Sequence, residues 1–291
     1  MVKTTIPNNL KTEYPFSPKT LELSSGHNLN FVDEGQGPVV VMVHGNPTWS
    51  FYYRDVIKKL QDGFRVIVPD HIGCGLSEKP QDYDYTLDNH IGNLQELLKH
   101  LGVDDFSLIV HDWGGAIGMG LATRMPEKVN KAVILNTAAF TDTFIPKTIN
   151  ICKNSLFGEW LVRKFNAFAW PATFMAVEKP LNADIKNGYL LPYNNYENRI
   201  ATARFVKDIP MTSDHPTWDV LKNIEDNLSK VECPKLLLWG EKDFCFNMHF
   251  FERWKEIYPS AKTKTYPKAG HYILEDAKSD VNNEISNFLR S

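Results

Sequence analysis

The sequence predicts an α/β fold: a mostly parallel eight-stranded sheet flanked by helices, with an inserted helical segment. Three observations predict it. Short, continuous apolar runs recur along the chain, as in strands covered on both faces. Stretches with apolar residues at helical spacing alternate with them. One long stretch, residues 140–215, carries no buried-strand signal and interrupts the alternation.

Two β-rich segments come first, at 19–22 and in LNFVDEG (29–35). PVVVMV (38–43), FRVIVPD (64–70) and FSLIVHD (106–112) are apolar without alternation, as central strands are. LDNHIGNLQELLKHLG (87–102) places Leu87, Ile91, Leu94, Leu97, Leu98 and Leu101 on one helical face and ends on Gly102 as a C-cap. KAVILNTA (131–138) and PKLLLWGEKD (234–243) are two more buried strands, and TKTYPKAGH (263–271) holds the last. The stretch 140–215 is helix-prone, aromatic and punctuated by proline. It reads as a helical cap inserted into a core domain formed by 1–139 and 216–291. Its apolar side chains, Phe144, Phe157, Trp160, Phe165, Phe168, Trp170 and Phe174, are expected to face a ligand cavity, because ligands of open α/β sheets bind at the carboxyl ends of the strands.

With 43 % hydrophobic and 23 % charged residues, a net charge of -3 and a pI near 6.3, the chain shows no basic surface for nucleic acid or anionic membrane. No signal peptide and no membrane span is expected, which makes the cytoplasm the expected location. The four cysteines, Cys74, Cys152, Cys233 and Cys245, form no C-x-x-C pair and are expected to be reduced. No cofactor and no metal ion is expected. Oligomeric state is open.

Motifs sit at the ends of the predicted strands: HGNPTWS (44–50), DHIGCGLS (70–77), HDWGG (111–115), GEKD (240–243) and AGHYILED (269–276). SLIVHDWGGAIGM has the layout of a nucleophile elbow, with Asp112 at the apex where serine hydrolases carry a hydroxyl. The order nucleophile, acid, histidine is that of the α/β-hydrolase fold. A carboxylate at the apex needs no base to activate it and can displace a leaving group from an sp³ carbon directly.

Over essentially its whole length the chain resembles the haloalkane dehalogenases of the α/β-hydrolase fold, most specifically in HGNPT and HDWGG. The resemblance implies a triad of Asp112 as nucleophile, His271 as the base that activates water against the resulting alkyl ester, and Asp243 as the acid that orients the imidazole. It further implies that Asn46 and Trp113 hold the departing halide, with their backbone N–H groups as oxyanion hole. Many members place a glutamate after the strand preceding the cap; here that place offers Asn136 and Thr137. The Asp–His–Asp plus Asn–Trp combination is similar to a subgroup that also contains the β-lactone decarboxylases of long-chain olefin synthesis. The expected activity is therefore halide displacement from a small apolar haloalkane, with water as second substrate and halide as product. β-Lactone decarboxylation is the alternative. An epoxide hydrolase is a further rival, since Tyr189, Tyr193 and Tyr196 lie in the cap and such enzymes need two tyrosines there.

Overall fold

The computed structural model describes residues 6–291. Eight strands, β1 (Lys19–Glu22), β2 (Asn28–Glu34), β3 (Val39–Val43), β4 (Arg65–Pro69), β5 (Phe106–Asp112), β6 (Val129–Thr137), β7 (Lys235–Gly240) and β8 (Lys262–Tyr266), form one sheet in the order β1-β2-β4-β3-β5-β6-β7-β8. β1 and β2 pair antiparallel to each other, and β2 antiparallel to β4. The other pairings are parallel.

Side chains of a strand alternate between the two faces, so a strand covered on both sides must be apolar throughout. β3 shows this directly. Val41 and Val43 point into the core that contains Leu94, Leu97, Ile117 and Met119, whereas Val40 and Met42 point into the one that contains Val56, Ile57, Val281 and Ile285. α2 (Leu87–His100) and α3 (Trp113–Arg124) supply the first set, α1 (Arg54–Leu60) and α12 (Lys278–Arg290) the second. Gly102, at φ +63°, ends α2 as the sequence suggests.

Between β6 and β7 the chain is helical: α4 (Lys147–Asn154), α5 (Gly158–Phe165), α6 (Ala169–Met175), α7 (Ala183–Leu190), α8 (Ile200–Lys207) and α9 (Trp218–Asn227). α4, α5 and α8 pack on one another, while α9 lies against α3 in the core. α10 (Met248–Ile257) follows β7, and the short α11 (Ile273–Asp276) precedes α12. No helix among the described residues is long and apolar enough to cross a membrane.

The cap aromatics depart from expectation. Phe168 lines the cavity and so does Phe144, itself partly exposed at its rim, but Phe157, Trp160, Phe165, Trp170 and Phe174 are exposed away from it. Four of these pair at the surface, Trp160 on Phe165 and Trp170 on Phe174, both edge to face. Spacing places residues on a common helix face without saying which way that face looks. The apolar lining comes instead mainly from aliphatic residues, among them Ile145, Ile149, Val206, Ile209 and Leu221.

Candidate active site

β5 leads straight into α3, and Asp112 sits at the junction with φ +54° and ψ -132°, a region that costs a non-glycine residue about 1–3 kcal/mol. The neighbours leave no other arrangement. A Cβ at position 114 would collide with the backbone carbonyl of Val43, so the helix can approach β3 this closely only with glycine there. The Thr137 hydroxyl, at the end of β6, donates to the Asp112 carbonyl oxygen and fixes the elbow from the other side.

The two oxygens of Asp112 have separate surroundings. Oδ1 accepts the backbone N–H of Asn46 at 2.6 Å, and the Trp113 N–H also donates to this carboxylate. Oδ2 lies 3.4 Å from Nε2 of His271. On the far side of the imidazole, Nδ1 lies 2.7 Å from Oδ2 of Asp243. Burial pushes the Asp112 carboxyl up, but His271 and the donors around it outweigh burial and hold it below the usual carboxylate range. Burial likewise opposes a charge on His271, yet the carboxylates of Asp243 and Asp112 on either side raise its pKa to about 10. The free site is thus a buried imidazolium between two carboxylates.

All five residues singled out in the sequence meet here: Asp112, His271, Asp243, Asn46 and Trp113. Asn46 spends one amide N–H on the carbonyl of Thr202 in α8, at 3.1 Å, which ties the helical layer to the β3 loop. Its other amide hydrogen is uncommitted. Trp113 lines the cavity next to Asp112.

The supporting roles of three further residues were not assigned from the sequence. Nδ1 of His44 donates to the carbonyl of Gly45 at 2.7 Å, while its Nε2 accepts the His71 N–H at 3.1 Å. The Gly45 carbonyl and the Asn46 N–H belong to one peptide plane, so His44 aims the donor that holds Asp112 Oδ1. His111, in place of the first glycine of the elbow pattern, packs its ring 4.5 Å from that of His271 and bonds to the His271 carbonyl at 2.9 Å. Burial and the charge of His271 push its pKa down to about 3, so it stays neutral. Asn136 donates to Asp243 Oδ2 at 3.0 Å and receives the Gly240 N–H at 2.8 Å; Cys245 and Phe246 donate their N–H groups to Asp243 Oδ1. The sequence signal was a polar residue at or just beyond an apolar strand end, and for Asn136 its place where the resemblance leads one to expect a glutamate; neither discloses the partner.

The epoxide-opening constellation is not formed. The hydroxyl of Tyr189 is bound to Glu275, that of Tyr193 approaches the Thr48 carbonyl at 3.4 Å, and Tyr196 lies at the surface under Arg163. None of the three lines the cavity.

A family model described as the α/β hydrolase fold matches residues 38–278. The chain is 46 % identical over 288 residues to the cis-3-alkyl-4-alkyloxetan-2-one decarboxylase of Shewanella oneidensis, covering 96 % of this chain and 90 % of that protein. It is 32 % identical over 270 residues to haloalkane dehalogenase 2 of Mycobacterium tuberculosis, covering 92 % and 93 %. The crystal structure of the haloalkane dehalogenase DbeA from Bradyrhizobium elkani superimposes with a TM-score of 0.87 at 22 % identity, covering 94 % of this chain and 98 % of that one.

Proposed function

The chain belongs to the α/β hydrolase fold family, and from that premise we propose that it is a β-lactone decarboxylase acting on cis-3,4-dialkyl-oxetan-2-ones, with Asp112 as nucleophile. The observation that carries this reading over halide displacement is its greater similarity to the Shewanella decarboxylase than to the mycobacterial dehalogenase. It replaces the sequence-based preference for haloalkanes by the alternative set beside it.

Oδ2 of Asp112 attacks C4 of the lactone from the side opposite the ring oxygen. The C4–O bond breaks, its electron pair stays on the oxygen, and C3 is left bearing a free carboxylate. The intermediate is an alkyl ester of Asp112. The bond from C3 to that carboxylate then breaks, its electrons form the C3=C4 double bond, carbon dioxide departs, and the C4–Oδ2 pair returns to Asp112. Back-side attack followed by anti departure converts a cis lactone to a cis alkene. No water is consumed. The N–H group of Asn46 holds Oδ1 throughout, that of Trp113 donates to the same carboxylate, and His271, held by Asp243, faces Oδ2 as the C4–Oδ2 pair returns to it. Residues 140–215 act as the cap that keeps the ester dry.

The second reading, haloalkane hydrolysis, is favoured by the placement of Asn46 and Trp113 beside Asp112. In that cycle His271 activates water, which attacks the ester at Asp112 Cγ and leaves a solvent oxygen in the carboxylate. Turnover in ¹⁸O-water separates the two. The decarboxylase releases alkene from a cis-dialkyl β-lactone and leaves the Asp112 peptide unlabelled by mass spectrometry. Absence of alkene, with halide release from 1-bromobutane and ¹⁸O in that peptide, overturns the proposal in favour of the dehalogenase.

A further inference from the structure

The space above Asp112 is forked. One arm, about 860 Å³ with its mouth, runs past Trp113, Ala138, Ile209 and Leu221. The other, about 550 Å³, runs past His271, Ala167, Ala172 and Met175. They share Asn46, Asp112, Ile149, Phe168 and Cys245, which places the fork at the nucleophile. Beyond the fork the walls are mostly aliphatic or aromatic.

We propose that the arms are two separate alkyl-chain subsites, the Trp113 arm taking the chain on C3 of the lactone and the His271 arm the chain on C4. The inference rests on the decarboxylase reading. Cis substituents on neighbouring carbons of a four-membered ring leave it side by side and then diverge. One channel would have to fold one chain back on the other, whereas two channels meeting at the reacting carbon bury both. The assignment follows from in-line displacement. C4 lies against Oδ2, the oxygen that faces His271 at 3.4 Å, so its chain enters the arm walled by His271. The departing oxygen and the carbonyl carbon move to the opposite side, toward the Trp113 indole, and C3 and its chain go with them. Both subsites gain by burial of methylene groups, up to roughly fourfold in specificity constant for each.

Two series of cis lactones test this, one lengthening the C3 chain with C4 kept as methyl, the other the reverse. The readout is the ratio of kcat/KM for the longest to the shortest member of each series, in the wild type and in variants that narrow one arm, Ile209→Trp and Ala172→Trp. Ile209→Trp is expected to lower the ratio at least tenfold in the C3 series and to leave it within about twofold in the C4 series. Ala172→Trp does the opposite. The smaller changes Ile209→Phe and Ala172→Leu serve if a tryptophan prevents folding, which circular dichroism reports. Equal loss in both series, no loss in either, or a reversed pattern overturns the assignment. A wild type that releases no alkene from any lactone marks failure of the decarboxylase reading itself.

Discussion

In the proposed reaction Asp112 and His271 set the chemistry through opposite charges held in a buried place. Removing the nucleophile by Asp112→Ala is expected to lower alkene formation by about 10⁴-fold or more; more than about one per cent residual activity excludes the role. The protonation of His271 governs what becomes of the ester. As imidazolium it stabilises the Asp112 carboxylate as it departs from C4 and cannot take a proton from water; as neutral imidazole it is a base for hydrolysis. Its pKa is raised to about 10 by the two carboxylates, so the cation prevails at neutral pH and is lost as pH rises through that value. Alkylation of Asp112 removes one of the two supporting charges and brings the loss to lower pH. The fraction of β-hydroxy acid relative to alkene, measured by gas chromatography, is therefore expected to increase steadily from pH 7 to pH 10. The candidate residues Asp112, Asp243 and His271 were legible because their types and order are unusual. The roles of His44, His111 and Asn136 were not, because the bonds from His44 to His71, from His111 to the His271 carbonyl and from Asn136 to Asp243 join distant parts of the chain that no local pattern connects.

At the scale of elements, the elbow between β5 and α3 depends on how closely α3 approaches β3. Gly114→Ala sets a methyl group against the Val43 carbonyl, and neither backbone can yield without opening the sheet. A loss of about 1–3 kcal/mol or more is expected in urea unfolding, accompanied by loss of activity as Asp112 shifts. The central strands β3 to β7 were readable to within a few residues because a strand buried on both faces has almost no freedom of composition; the edge strands β1 and β8 are largely exposed and carry no such constraint. The helices between β6 and β7 were readable as helices only. Their outward aromatics could not be told from inward ones, since Phe157, Trp160 and Phe165 are as apolar as Phe144 and Phe168, and orientation comes from the packing of α4, α5 and α8 on one another.

At the scale of the whole molecule, the helical layer and the core are locked together by polar contacts. The Arg54 guanidinium in α1, almost wholly buried, grips both oxygens of Glu275 in α11, at 2.6 and 2.9 Å, and the Tyr189 hydroxyl of α7 donates to the same carboxylate. Arg54→Met leaves that carboxylate buried without its counter-ion and is expected to cost about 3–5 kcal/mol in urea unfolding, since breaking a buried pair strands the other charge. Asp276 joins the layers again by accepting the N–H groups of Glu178, Lys179 and Gly270, close to His271. Asn136, at the end of β6, touches the same Asp243 oxygen that faces His271, at 3.0 Å. A carboxylate on a side chain one methylene longer at position 136 would end close to where that of Asp243 now stands. The imidazole is thus within reach of a carboxylate from either of two neighbouring strands, β6 or β7, while the histidine keeps its place.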